Sequence, residues 1–221
     1  MNPHATNLIT AVAAKLALQD SFTRLRQRRL KASPNDLIWS YSRQRERRLS
    51  CLHQQLQQDT FHFNPIKQIR LSDGMWVSTY EPDDQIVLSR LKAELTPLCR
   101  EALDLSHASH LSGNGGLKGA VTKTKQFAER NRFVFKTDIA NYYASIDHKI
   151  MQRQFNQVVT DPRVRRLVWE SMERVHVCNG AYRHIKGKGI SRGSALSPLM
   201  SAMYLAPLDA YAKANNIDYV R

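Results

Sequence analysis

Asp138 closes the short apolar run Phe133-Val134-Phe135 and is followed closely by Tyr142 and Tyr143. A carboxylate in that place either caps the next turn or faces a cleft at a sheet edge. In the second case it is a hard oxygen ligand for a divalent cation. Nucleotidyl transfer uses such carboxylates: two Mg²⁺ ions about 3.5–4 Å apart activate the attacking hydroxyl and neutralise the leaving pyrophosphate. Mg²⁺ takes few ligands from protein when substrate phosphates supply the rest. Further along, Gly189 and Gly193 lie in one loop, and Ser197-Pro198 opens a helix. Glycine permits positive φ and close backbone approach. A helix N-terminus behind it can face a phosphate or a base pair.

Other residues offer less chemistry. The stretch SGNGGLKG at 112–119 lacks the G-K-[ST] of a phosphate-binding loop and reads as a plain loop. His107 and His110 have no third ligand nearby and read as polar surface. Cys51, Cys99 and Cys178 form no C-x-x-C, which argues against a disulfide framework and against zinc, and suits a reducing cytoplasm. No apolar run is long enough to span a bilayer, so no membrane partner is expected.

The elements that position these residues follow from periodicity. Leu8, Val12, Leu16, Phe22 and Leu25 recur at helical spacing, and Ser33-Pro34 breaks the pattern. Ser33 then caps a second helix running to Gln57, whose outer face carries Arg43, Arg45, Arg47 and Arg48. That cluster is either a solvated face or a surface that tracks phosphates. Residues 61–71 and 75–80 read as strands around Ser72-Asp73-Gly74, and a helix over 85–105 follows with Asp84 as its cap. Next come a helix over 120–130, a strand over 133–139 and a helix over 148–158 capped by Asp147. A helix over 161–174 leads to a hairpin over 175–185 around Asn179-Gly180, a type I′ dipeptide. One last helix runs from Ser194 or Ser197 to Asn215-Asn216, and Ile217–Val220 starts a strand. Strands mixed with helices without regular alternation predict an α+β fold.

The charge is the strongest bulk signal. The 221 residues carry 33 Lys and Arg against 19 Asp and Glu, a net charge of +14. Residues 1–60 hold 10 basic and 4 acidic residues, 61–132 hold 10 and 8, and 133–221 hold 13 and 7. The excess is spread through the chain rather than confined to a tail. Such a field attracts polyanions, nucleic acid above all.

Two blocks sharpen this reading. FVFKTDIANYYASIDH at 133–148 and GISRGSALSPLMSAMYLAPLD at 189–209 resemble reverse transcriptases of the bacterial, group II intron-like and retron-like kind. DDQIVLSRLKAEL at 83–95 is similar to an early helix of that family, and the resemblance extends over roughly residues 60–221. It implies a right-hand polymerase fold, fingers plus an incomplete palm, with an N-terminal helical extension. The expected divisions are 1–58 for the extension, 59–132 for the fingers and 133–221 for a partial palm without a thumb, with 149–192 packing with the fingers.

The resemblance also implies an activity, RNA-templated DNA synthesis from dNTPs with Mg²⁺ or Mn²⁺, and as partners an RNA template and an RNA–DNA duplex. Asp138 and the carbonyl of Ile139 would hold metal, Tyr143 would exclude a 2′-hydroxyl, and Arg192 and Gly193 would floor the nucleotide pocket. Lys67 and Arg70 are the candidates to grip the triphosphate. The family's Pro-Gln pair is Ser191-Arg192 here, so an arginine fork takes the place of an amide. The family's next block, Y-x-D-D, would follow Asp218-Tyr219-Val220-Arg221. On one carboxylate the chain alone is expected to be inactive, as a truncated product. It would otherwise be half of a split polymerase whose partner chain supplies the remaining palm and thumb, or a non-catalytic, maturase-like RNA-binding protein. Without that block, the apolar face of the last helix, Leu199, Met203 and Leu208, is expected to lose cover.

Overall fold

The computed structural model describes residues 8–70, 76–184 and 187–221, the side chains of Arg70, Trp76 and Val77 excepted. The expected Ser72-Asp73-Gly74 turn lies outside them. The first predicted helix is two, α1 (Leu8–Ala13) and α2 (Lys15–Arg28), because Ala14 turns its backbone to ψ 125°. The second is also two, α3 (Leu37–Arg43) and α4 (Arg45–Gln57). The cap is Asp36 rather than Ser33: its carboxylate accepts the N–H of Ile38, where a charged acceptor serves the orphan donors of a helix start.

Helices α1, α2 and α3 pack on α5 (Pro82–Ala102), the central rod of the molecule, and α4 packs on those three. Its Ile86, Val87, Leu91, Leu95 and Cys99 are fully buried, and α8, α9 and α10 pack on it too. The helix starts earlier than periodicity predicts, because Pro82 supplies a preset φ in its first turn. Asp84 is therefore not the cap. It is buried and ion-paired with Arg174.

The sheet has the order β2-β1-β3-β4. Strand β1 (Ile66–Arg70) pairs antiparallel with β2 (Trp76–Thr79) and parallel with β3 (Val175–Cys178). Strand β3 pairs antiparallel with β4 (Ala181–His184), through Asn179 at φ 50° and Gly180 at φ 77°. The two positive φ values are those of a type I′ turn. The architecture is α+β with a small four-stranded sheet.

The remaining helices are α6 (Gly116–Arg130), α7 (Tyr142–Ser145), α8 (His148–Val158), α9 (Pro162–Met172), α10 (Ser197–Tyr204) and α11 (Ala206–Ala214). Asp147 caps α8 as expected, accepting from the N–H groups of Lys149 and Ile150. The predicted last helix divides at Leu205, because Pro207 lacks an N–H and starts a new first turn. Leu199 and Met203 are fully buried after all, and only Leu208 is left partly bare.

Two predicted strands are absent. Residues 133–139 and 217–220 run without a ladder partner among the described residues. A strand is defined by its partner, and β-propensity alone does not supply one. Phe133 and Phe135 are accordingly 82% and 89% exposed. Residues near 217–221 are held by side chains instead: Arg221 donates to the buried Asp209 and to the carbonyl of Ala202. No described helix is long and apolar enough to cross a membrane.

Candidate functional site

The two sequence blocks lie side by side. The N–H of Gly189 donates to the Ile146 carbonyl at 2.8 Å, Ile190 to Tyr143 at 2.9 Å, and His148 to Gly187 at 3.0 Å. The buried His148 donates from Nε2 to the Gly189 carbonyl at 2.6 Å. Gly189 has φ +91°, and a Cβ there would sit 3.3 Å from the Ala144 carbonyl oxygen. Only glycine gives this backbone both the conformation and the approach it needs.

The paired tyrosines divide their roles. Tyr142 donates its hydroxyl to the Ser201 carbonyl at 2.5 Å, and burial pushes its ionisation up. It fastens α7 to α10. Tyr143 stands edge-on to it, with ring centroids 5.8 Å apart, and is half-buried without a hydroxyl partner among the described residues. The chain then passes from Ile190, bonded to Tyr143, to the exposed Arg192 and Gly193. Tyr80, just after β2, donates to the Arg192 carbonyl at 3.3 Å, and Gly193, at φ +89°, approaches the Tyr80 ring. Ser197 donates to the Ser191 carbonyl at 2.7 Å, which closes the loop onto the start of α10. Arg192 is exposed and makes no ion pair or side-chain hydrogen bond among the described residues.

Beneath the loop lies a pair that sequence reasoning missed. The Arg174 guanidinium sits 4.6 Å from the Phe63 ring centroid and 5.3 Å from that of Tyr80, and it is ion-paired with Asp84. Asn64 donates to Asp84 from its backbone N–H at 3.3 Å and from Nδ2 at 3.2 Å. Burial outweighs these donors and the arginine, and lifts the Asp84 carboxyl to about 6. The only sequence signal was an acidic residue facing the apolar side of α5; its partner is 90 residues away.

Other predicted site residues are not gathered here. Asp138 and Ile139 lie exposed in the irregular 133–139 segment, with no hydrogen bond to another element among the described residues. Lys67 is ion-paired with Glu81 at 3.0 Å on the exposed sheet face. The side chain of Arg70 is outside the described residues. The nearby carboxylates are engaged: Asp147 in its cap, Asp209 with Arg221, and Asp218 with Arg130 and Asn131. Among the described residues no three His, Cys, Asp or Glu side chains gather as a metal site. A two-ion centre is not assembled by these residues.

The two blocks are thus stitched together beside the small sheet of an α+β core. The fold is similar to a chain of the Partial Cas6-RT-Cas1–Cas2 complex, with a TM-score of 0.63 at 14% identity, covering 94% of this chain and 35% of that one. A chain of the Cas6-RT-Cas1–Cas2 complex matches at the same TM-score and identity, over 22% of its own length. Among curated proteins, the chain is 27% identical over 82 residues to Protein YkfC of Escherichia coli (strain K12), covering 37% of this chain and 21% of that protein. It is 22% identical over 168 residues to the Putative COX1/OXI3 intron 2 protein of Saccharomyces cerevisiae (strain ATCC 204508 / S288c), covering 74% of this chain and 19% of that protein. The chain thus spans about a fifth of the length of these curated relatives. No family model matches it.

Proposed function

We propose that this chain grips template and duplex as the fingers and first part of the palm of a reverse transcriptase, with residues 1–58 as a helical extension. The observation that carries this reading is the stitching of 143–148 to 187–190, which brings Tyr143 next to a loop bearing the exposed Arg192 and Gly193. In this reading Tyr143 packs under the sugar of an incoming dNTP. Arg192 holds a phosphate or a templating base with its planar fork, and Gly193 lets the substrate approach the backbone. Lys67 and Arg70 lie on β1, where they offer charge to a triphosphate.

Asp138, with the carbonyl of Ile139, offers oxygen ligands toward Mg²⁺ or Mn²⁺, which in such enzymes activates the attacking hydroxyl. One carboxylate does not fix two ions. The 1–221 chain therefore binds but does not polymerise, and catalysis needs further carboxylates and palm strands to pair with the exposed 133–135 run. Primer extension on an RNA template tests this. Residues 1–221 should give none with either ion, and extension that disappears in Asp138→Ala would overturn the requirement for further ligands. Asp138, exposed and without a hydrogen bond to another element among the described residues, also suits a second reading, a maturase-like RNA-binding protein that never polymerises. That reading predicts the same binding, and no extension even when a second chain supplies further palm carboxylates.

A further inference from the structure

A pocket of about 240 Å³ opens between α4, the 61–64 loop and the first turn of α5, away from the two blocks. Its lining is mainly polar: Arg48 and Asp83 form a wall, Gln55 and Asn64 add amides, the exposed Cys51 and His62 stand at the mouth, and the buried Leu52 and Phe61 lie behind. Three features make it more than a crevice. Tyr41 donates to Asp83 Oδ1 at 2.6 Å and sits under the Arg48 guanidinium, 5.5 Å from centroid to Cζ, so acceptor and donor are held side by side. Arg48 lies 3.5 Å from Asp83 Oδ2 and makes no hydrogen bond among the described residues. That distance is longer than a charge-assisted hydrogen bond of about 2.7–2.9 Å, so both groups keep capacity for a third party. Finally, His62 is fixed at the mouth by Glu170, 3.2 Å from Nδ1, with its ring 72% exposed.

We infer that this pocket takes one unpaired base of a single-stranded RNA. The proposal rests on the RNA-binding reading above and adds a site to it. The adjacent donor and acceptor suit the mixed polar edge of a nucleobase, and the imidazole at the mouth offers its flat body a stacking face. The volume is below the roughly 300–1,000 Å³ of pockets for drug-sized ligands, which suits a base rather than a larger molecule. The phosphates on either side have somewhere to go: Arg47 lies one turn before Cys51 on α4, and Arg43 and Arg45 flank the α3–α4 junction, all exposed. The arginine cluster thereby becomes the track of a strand whose base is held in the pocket.

Cys51 reports occupancy directly, since Cys99 is buried and Cys178 can be removed by Cys178→Ser. Maleimide labelling of Cys51 is measured with a single-stranded RNA, with the same strand carrying abasic sites, and with a blunt duplex, while fluorescence anisotropy records binding of each. The single strand should slow labelling about tenfold, with the abasic strand and the duplex bound but not protective. His62→Ala, exposed and outside the core, should lower single-strand affinity about tenfold and leave duplex affinity unchanged. Equal protection by the abasic strand would overturn the base site in favour of phosphate contacts alone. RNA that binds without protecting Cys51 would overturn the pocket only. RNA that fails to bind at all would overturn the pocket together with the function it rests on.

Discussion

Helices α5 and α6 are both long, yet one is the centre of the molecule and the other touches almost nothing. Helix α5 buries side chains along its length against six neighbouring helices, while α6 buries none. Leu117 and Val121, one turn apart on α6, are both exposed, Leu117 to 82%. The irregular run through Phe133 and Phe135 continues that bare surface. The contrast divides the candidate site as well. Tyr143, Arg192 and Gly193 are tied by backbone hydrogen bonds and by Tyr80 to the packed half, and Asp138 sits on the bare half. The part that would position nucleic acid is built, and the part that would do chemistry is not.

The hardest blow to the packed half should come from Asp84→Ala, which strands the buried Arg174. Breaking a buried pair by removing one partner costs about 3–5 kcal/mol, and urea denaturation should show a loss of that size. A loss below about 1 kcal/mol would mean that solvent reaches the pair. Leu91→Ala, in the middle of α5, should cost about 2–5 kcal/mol by the same measurement. The pair also leaves a pH signature. Its folded value, about 6, lies above the ordinary aspartate range, so the folded state holds this proton more tightly. Stability from this group is full below about pH 4 and falls as the pH rises through 6. The difference between the wild type and Asp84→Asn should carry that slope. The smallest effect belongs to α6: Leu117→Ala should change stability by no more than about 0.5 kcal/mol. A cost comparable to that of Leu91→Ala would show that α6 is covered in solution and would erase the contrast.

Local signals were legible in the sequence. The Asp147 cap, the Asn179-Gly180 turn and the Ser197-Pro198 helix start each depend on a few adjacent residues, and each formed. Gly189 and Gly193 were readable as positions of positive φ. What failed depends on partners far along the chain. The 133–139 run has the composition of a strand, and composition does not say whether a neighbouring strand exists. Asp84 looked like a cap because its partner, Arg174, is remote in sequence. Likewise the parallel pairing of β1 with β3, and the meeting of Tyr41, Arg48 and Asp83 around a pocket, needed the packed helices to become visible. Pro207 is a local signal too: without an N–H it ends α10 and opens α11.

On the proposed function, the packed half grips nucleic acid through a distributed positive surface in which Arg192 takes part. The most direct test is the affinity for a labelled RNA–DNA duplex, by anisotropy, across a range of salt, for the wild type and for Arg192→Glu. If about six phosphates are neutralised, log K should fall against log[salt] with a slope of about −4 to −5, and Arg192→Glu should weaken binding and flatten the slope by about 1. A flat salt response, or heparin binding as tight as the duplex with no effect of Arg192→Glu, would contradict the account.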